Sequence, residues 1–479
     1  MFQATFLGHQ GWMLASPSTT VLLDPLLVSR FGHLGRLGTR YPHFAVATRQ
    51  LPPIDAAVIS HEHDDHLDFP SLARIARDVP IYLSSRSSVA ARTALTRLGF
   101  AVRALEPQTE TQIGDLTVRT GVGDLVQRPE CDEWDVFPLA VTDTDGHGSL
   151  TSAVDAPLAP DSWHRFAAVT PGLLAHANNF TDASVQTWPG PTVPPPDVET
   201  LANAANRRIE RHQLAAQTSL AVAVVGGGWR LDGARTWMNA ELFPHDNAAL
   251  ARAMCRQRPS WPFDVVAPLP GHTFSMRHGR LETVRPTDHA AFRRTSPPAS
   301  ASRPSGDWLR AHGPATDTGR LPPRGLAELR DALHDLAHYL YGRRVYRQLH
   351  SVGSTLNGTR SALALELLRD RDPSWVLEYR PNAAEFVEVA CDDPIGTYAS
   401  GLRLWASDLD AFLRGELPPS ALCYAGRVQS WNHNPAKLRL SPHDLWMFGH
   451  PLHRPGAAHR LYDALVSGSR DIVPDIPRA

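Results

Sequence analysis

The chain has 479 residues, enough at typical domain sizes for two or three domains and a large core. Its 47 Lys and Arg balance 49 Asp and Glu with no long basic run, which excludes the electrostatic footprint of a nucleic-acid binder. No apolar stretch approaches about 20 residues, and four scattered cysteines (Cys131, Cys255, Cys391, Cys423) form no Cys-x-x-Cys pair, so a membrane span, a disulfide framework and a Cys-ligated cluster are all excluded.

The first residues, MFQATFLGHQGWML, read as folded strand, not as a leader, and the expected compartment is the cytoplasm. From Gln3 to about Gly279, short apolar runs alternate with turns and helical stretches, the pattern of an α/β layered domain. QATFLG, TVLLD and DAAVIS are predicted strands, FPSLARIARDV has helical spacing, and PIYLSS is a further strand. SVAARTALTRLG is a helix closed by Gly99. LTVRTGV is a strand, and FPLAVTD and SLTSAVD form a hairpin about an Asp-Gly turn. Residues 185–215, with WPGPTVPPP followed by a basic helical run, read as an insertion, and the layered pattern resumes at FDVVAPLPGH. Residues 284–323 are rich in Pro, Ser, Arg and Gly and read as a linker. The expected organisation is a first domain over 1–283, the linker, and a C-terminal α/β accessory region over 324–479.

That last region opens with a helix carrying Leu326, Leu329, Leu333, Leu336 and Leu340 on one stripe. WVLEYR and EFVEVA follow as a strand pair, and SDLDAFLRGEL as a helix capped by Ser407. His334 and His338 lie four apart on the first helix without an obvious carboxylate partner and read as surface or hydrogen-bonded histidines. VVGGGW lacks the Lys and Ser or Thr of a phosphate loop and is not read as a nucleotide site.

The chemistry concentrates in HEHDDH, residues 61–66, directly after the DAAVIS strand. A strand, a ligand-rich turn and a helix in that order place His61, His63, Asp65 and His66 at the C-terminal end of a strand, where α/β folds present their sites. Imidazole and carboxylate converging there suit one or two divalent transition metals. The stretch resembles the His-x-His-x-Asp-His signature of the metallo-β-lactamase superfamily, and TVLLDP resembles the Asp-containing turn that precedes it there.

The resemblance implies a four-layer αβ/βα sandwich over roughly residues 1–280, holding a dinuclear metal centre. It implies that His61 and His63 bind one metal, that Asp65 and His66 bind the other, and that Asp24 orients the loop from behind. The superfamily pattern calls for three further ligands. Asp155, ending the second hairpin strand, is the expected bridging carboxylate, and His272, ending DVVAPLPGH, the expected last histidine, with His176 as the fallback.

The third position departs from the pattern, because no histidine falls between His66 and His147, and His147 sits within the hairpin turn. RPECDEWDVF offers carboxylates in its place; Glu133 is favoured, with Glu130 as its rival. Two histidines and two carboxylates at one metal suit iron, where three neutral histidines suit zinc. The set resembles the diiron monooxygenases of antibiotic pathways and, more loosely, the metallo-β-lactamase-type domain of CMP-sialic acid hydroxylase without its Rieske cluster.

The resemblance therefore implies an O₂-dependent hydroxylase with two iron ions. Its electrons would come from a separate reductase, and its small-molecule substrate would be a natural-product intermediate, carrier- or coenzyme-tethered forms included. The alternative is a dinuclear zinc hydrolase of an ester, amide or phosphodiester. His176, Asn178 and Asn179 in AHANNF are substrate-contact candidates, and His9 is read as structural.

Overall fold

A computed structural model describes the chain except residues 124–132, 157–158, 160–161, 163–164, 167–169, 182–185, 189–195, 214–218, 283–286, 298–300, 303–312, 322–324, 344–354, 357–358 and 434–441. Glu130 and Cys131 lie outside the described residues. Cys255, Cys391 and Cys423 are free thiols.

Two sheets face one another. The first has nine strands, running through Arg280–Leu281, His272–Arg277, Phe2–Gly8, Gly11–Ala15, Thr20–Leu23, Ala56–Ile59, Ile81–Ser84 and Val102–Leu105, with Thr287–Asp288 beside His272–Arg277. The second has seven, from the Glu110–Ile113 edge through the hairpin Leu139–Asp143 and Ser149–Ser152 to Gly172–Ala177, Ser219–Val225 and Asp264–Val266. Period-two alternation sorts the side chains. Along Ala56–Ile59, Ala56 and Val58 enter the core between the sheets, beside Phe6, Trp12, Val118 and Leu150. Ala57 and Ile59 point the other way, into a helical layer with Ala91, Leu95 and Phe69. The outer face of the second sheet is covered by the helices Val198–Gln213 and Asn247–Gln257. The result is an αβ/βα sandwich.

Helix Val89–Arg97 starts at Ser88, whose hydroxyl accepts from the Ala91 amide, and is followed by Gly99 at φ +105°. FPSLARIARDV departs from its helical spacing: only Phe69–Leu72 is helical. The reason is tertiary. The Arg74 carbonyl accepts from the amides of Asp475 and Ile476, and Ile476 returns its carbonyl to Ala76, so the chain's end takes bonds a longer helix would use. Ala458, Tyr462, Leu465, Val466 and Ile476 accordingly belong to the first sheet's helical core.

The remaining C-terminal residues build a third, seven-stranded sheet in which Trp375–Arg380 pairs antiparallel with Glu385–Glu388. Helix Gly325–Gly342 covers it with Leu329, Leu333, Leu336 and Leu340. Thr187–Trp188, from the expected insertion, pairs with Val428–Asn432 and so joins this sheet. Ser407 does not cap its helix as expected: it lies inside Ala406–Leu413, whose cap residue is Trp405, without a side-chain cap bond. His334 and His338 stand 3.0 Å apart, Nε2 to Nε2.

Candidate metal centre

Parallel pairing of Thr20–Leu23 with Ala56–Ile59 brings both strands out at one edge and delivers Asp24 and the Ser60–His66 loop side by side. The loop turns tightly because the His63 carbonyl accepts from the amides of His66 and Leu67. Three imidazoles are thereby stacked closely, His61 lying 4.5 Å from His63 and 4.1 Å from His66 between ring centroids. Across the sandwich, the parallel strands Ser149–Ser152, Gly172–Ala177 and Ser219–Val225 end toward the same place and present Asp155, Asn179 and the glycine run 226–228.

Two ligand groups result. His61, His63, Glu133 and Asp155 form one, and His9, Asp65 and His66 the other, with the donor atoms of each group within 4.8 Å of one another. Asp155 Oδ2 lies 3.3 Å from His61 Nε2 and 3.2 Å from His66 Nε2, so one oxygen faces both groups. Glu133 approaches His61 Nε2 and His63 Nδ1 at 3.6 Å each. Metal bonds of about 2.0–2.2 Å in tetrahedral array put neighbouring donors about 3.3–3.6 Å apart. The observed separations, 3.2–3.6 Å, are close to that size and lie at or beyond the long end of ordinary hydrogen bonds. The Nε2 atoms of His61 and His66 are fully buried and make no hydrogen bond among the described residues. A cation between these groups would satisfy them, and the donor set fits it.

The electrostatics agree. Burial lowers the His61 pKa, and the neighbouring His66 and His63 lower it further. For His66 burial works in the same direction, but the carboxylates of Asp155 and Asp24 outweigh it and hold its pKa well above the ordinary value. Burial likewise opposes ionisation of Asp155, yet His66 and His61 hold its carboxyl well below the ordinary range. The cluster therefore already balances buried negative against positive charge, the balance a metal ion takes over from protons.

A shell of hydrogen bonds aims the ligands. Asp24, at φ +42°, accepts the Ser60 amide at 2.8 Å on Oδ1 and the Ser60 hydroxyl at 2.6 Å on Oδ2, and Oδ2 also faces His66 Nδ1 at 2.8 Å. The Ser60 hydroxyl lies 2.9 Å from His61 Nδ1, so one carboxylate orients both rings. Gln10 and Asn179 donate to Asp155 Oδ1. Asp135, fully buried, accepts the Glu62 amide at 3.0 Å and the Ser87 hydroxyl at 2.5 Å. Burial and the neighbouring Asp135 push Glu62 up to about 8, with its carboxyl bonded to Ser88 and to Tyr462.

The last ligand differs from expectation. His272 belongs to neither group: its Nδ1 accepts from the Leu269 amide and its Nε2 faces the exposed Asp288 at 3.6 Å, so it closes a turn. His176 is also in neither group. His9 stands beside Asp65 instead, Nε2 to Oδ2 at 3.0 Å. It occupies the turn between the first two strands at φ +53°, and the Gly228 amide donates to its Nδ1 at 3.2 Å. A Cβ on Gly228 would lie 2.4 Å from the His9 Cα, which explains the VVGGGW run as a floor under His9. Asn178 bonds the His245 carbonyl and Asn247, a loop-holding role, while Asn179 reaches the centre. Gln10 escaped the sequence reading, and His9 in LGHQGW reads as structural though close to the site. A third group, Asp143, Asp145 and His147, lies in the hairpin turn.

The centre opens into a cavity of about 200 Å³ lined by His9, His63, Asp65, Glu133, Asp155 and Asn179. Ser420, Tyr424 and Trp446 of the C-terminal region complete its wall. The Ser420 hydroxyl donates to Asp64, and the Trp446 ring lies 5.5 Å from that of His63.

Residues 19–125 match the beta-lactamase superfamily domain. Among solved structures, the chain is similar to a diiron beta-hydroxylase from Streptomyces venezuelae at 18% identity, over 58% of this chain and 54% of that one, with a TM-score of 0.37. It is similar to an isothiocyanate hydrolase from Delia radicum gut bacteria at 15% identity, over 57% and 99%, with a TM-score of 0.38. A metallo hydrolase from Ignicoccus hospitalis matches at 13% identity, over 57% and 97%, with a TM-score of 0.34. Among the described residues, no helix is long and apolar enough to cross a membrane.

Proposed function

We propose, starting from the metallo-β-lactamase superfamily domain that this chain carries, that it is a non-heme diiron monooxygenase. It hydroxylates a C–H bond of a natural-product intermediate, free or tethered to a carrier or coenzyme, using O₂ and electrons from a separate reductase. The observation that carries the reading is Glu133, an acid at 3.6 Å from both His61 and His63 where the zinc pattern has a third imidazole. With Asp65 and Asp155, it makes three carboxylates among the seven candidate ligands. Anionic oxygen donors favour a harder cation and the rise in its charge on oxidation.

In this reading His61, His63 and Glu133 would hold one iron and His9, Asp65 and His66 the other, with Asp155 facing both groups. When bound and reduced, the iron pair supplies O₂ activation. The chain supplies the rest. Gln10 and Asn179 fix the Asp155 carboxylate by donating to its Oδ1, leaving Oδ2 toward the histidines. Asp24 and Ser60 hold the tautomers of His66 and His61 so that both Nε2 atoms face inward. Tyr424 and Trp446 wall the cavity and limit water beside the reacting carbon.

Metal analysis of the purified chain tests the reading. The expected result is about two iron ions per chain, a yellow or brown colour in air, and O₂ uptake after reduction. Colourless protein holding zinc that cleaves an ester or phosphodiester would overturn it and assign the dinuclear hydrolase.

A further inference from the structure

The ligand turn is held by residues far along the chain. His61 and His63 contribute to one candidate metal group, and the residue that follows each of them, Glu62 and Asp64, is bonded by the C-terminal region. The Tyr462 hydroxyl, on helix Pro455–Ser469, donates to Glu62 Oε2 at 3.1 Å, and the Ser420 hydroxyl, on helix Pro419–Tyr424, donates to Asp64. These bonds span 400 and 356 residues. The segment bearing Glu133 is held in the same way. Its next residue, Trp134, packs edge-on against His450 with ring centroids 4.0 Å apart. Asp135 then accepts the Glu62 amide at 3.0 Å, which ties the carboxylate segment to the histidine turn.

The two ligand groups differ in what aims them. His66 is aimed by Asp24 at 2.8 Å, and His9 by the Gly228 amide at 3.2 Å, with Asp65 beside it at 3.0 Å. All of these residues belong to the sandwich. In the other group Ser60 aims His61, but His63 and Glu133 adjoin residues that the C-terminal region holds, and the Trp446 ring lies 5.5 Å from that of His63. Residues 61–66 belong to neither a helix nor a strand, so side-chain bonds set the shape of the turn. Ligands already fixed in place lose less conformational entropy when an ion binds.

We propose that Tyr462 and Ser420 are positioning residues for the ion of His61, His63 and Glu133. The C-terminal region is then a working part of that metal site, whereas the ion of His9, Asp65 and His66 is held by the sandwich. The proposal rests on the reading of the two groups as metal sites, and it is indifferent to whether the metal is iron or zinc.

Release of Co²⁺ from the loaded, full-length protein into excess EDTA tests it, with the cobalt left on the chain counted over time by elemental analysis. Tyr462→Phe combined with Ser420→Ala removes both hydroxyls and keeps the ring and the helix. One ion is expected to leave this variant about tenfold faster than wild type, the low end of the effect of losing an outer hydrogen bond at a metal site, and the other at the wild-type rate. Two backgrounds assign the faster ion: the acceleration appears in His9→Ala, where the ion of His61, His63 and Glu133 remains, and is absent from Glu133→Ala. Tyr462→Phe alone gives a smaller acceleration of the same ion and covers the case in which the combined variant does not fold. Wild-type rates for both ions, equal acceleration of both, which a general loosening of the fold would give, or acceleration confined to the Glu133→Ala background overturns the proposal and leaves the metal reading intact. A wild-type chain that holds no Co²⁺ overturns the metal reading and the proposal with it.

Discussion

Replacing Asp24 by Asn changes almost nothing in shape and reverses one donor. The residue sits at φ +42°, a conformation Asn tolerates, so the backbone stays in place. If the new amide nitrogen takes the Oδ2 position, it points a donor at His66 Nδ1, where the carboxylate stood 2.8 Å away. His66 must then keep Nδ1 bare and carry its proton on Nε2, the atom that faces Asp155 at 3.2 Å and would bind metal. If the amide flips, its nitrogen instead opposes the Ser60 amide at the 2.8 Å Oδ1 site, leaving a buried donor unsatisfied at about 1–3 kcal/mol. Neither orientation restores the original set of bonds. Loss of such an outer hydrogen bond weakens metal binding by about 10–100-fold, or about 1.4–2.7 kcal/mol. Chelator competition on the loaded protein measures this directly. The ion held by His66 should be lost first, since His61 keeps its bond to the Ser60 hydroxyl. Equal, unchanged dissociation of both ions from Asp24→Asn would refute the claim that this carboxylate sets the tautomers.

Other expectations separate the ligand groups from their surroundings. Glu133→Ala should lower iron occupancy and abolish hydroxylation, and retention of both would remove the basis for the iron reading. His9→Ala should lower the metal content by about one ion while His272→Ala leaves it unchanged, as elemental analysis would show; the opposite ranking would restore His272 as ligand. Burial, with help from Arg36, lowers the His33 pKa from 6.5 to about 3. As pH falls below 6.5 the unfolded chain takes up this proton before the folded one, so the stability is present above 6.5 and lost progressively toward 3, by about 2 kcal/mol at pH 5. Denaturant midpoints of wild type and His33→Asn should converge by that amount between pH 7 and 5; parallel curves would count against it. Ile476, fully buried against the first sheet's helices, should cost about 2–5 kcal/mol on replacement by Ala, where a dispensable tail would cost almost nothing.

What the sequence makes legible here is what is local. His61, His63, Asp65 and His66 share one turn, and the structure brings all four into the two candidate ligand groups. Strands such as Ala56–Ile59 and the hairpin around residues 144–148 are likewise written in short apolar runs and turn residues. Apart from the Ser407 cap, the misreadings involve partners far away along the chain. The helix expected over FPSLARIARDV stops because residues 475 and 476 bond Arg74, some 400 positions later. His9 reads as structural in isolation; only the approach of Gly228, 219 residues downstream, shows what holds it beside Asp65.

The displacement of His272 has the same origin. A search for the last histidine along the chain assumes that ligands arrive in sequence order, but strand order in the first sheet places Phe2–Gly8 between His272–Arg277 and Gly11–Ala15. The turn after the first strand therefore stands nearer the centre than the start of the strand beside it. There the Phe6 carbonyl accepts the Gly271 amide, and His272 is turned to close its own loop with Leu269. Which histidine stands beside Asp65 is thus decided by sheet topology.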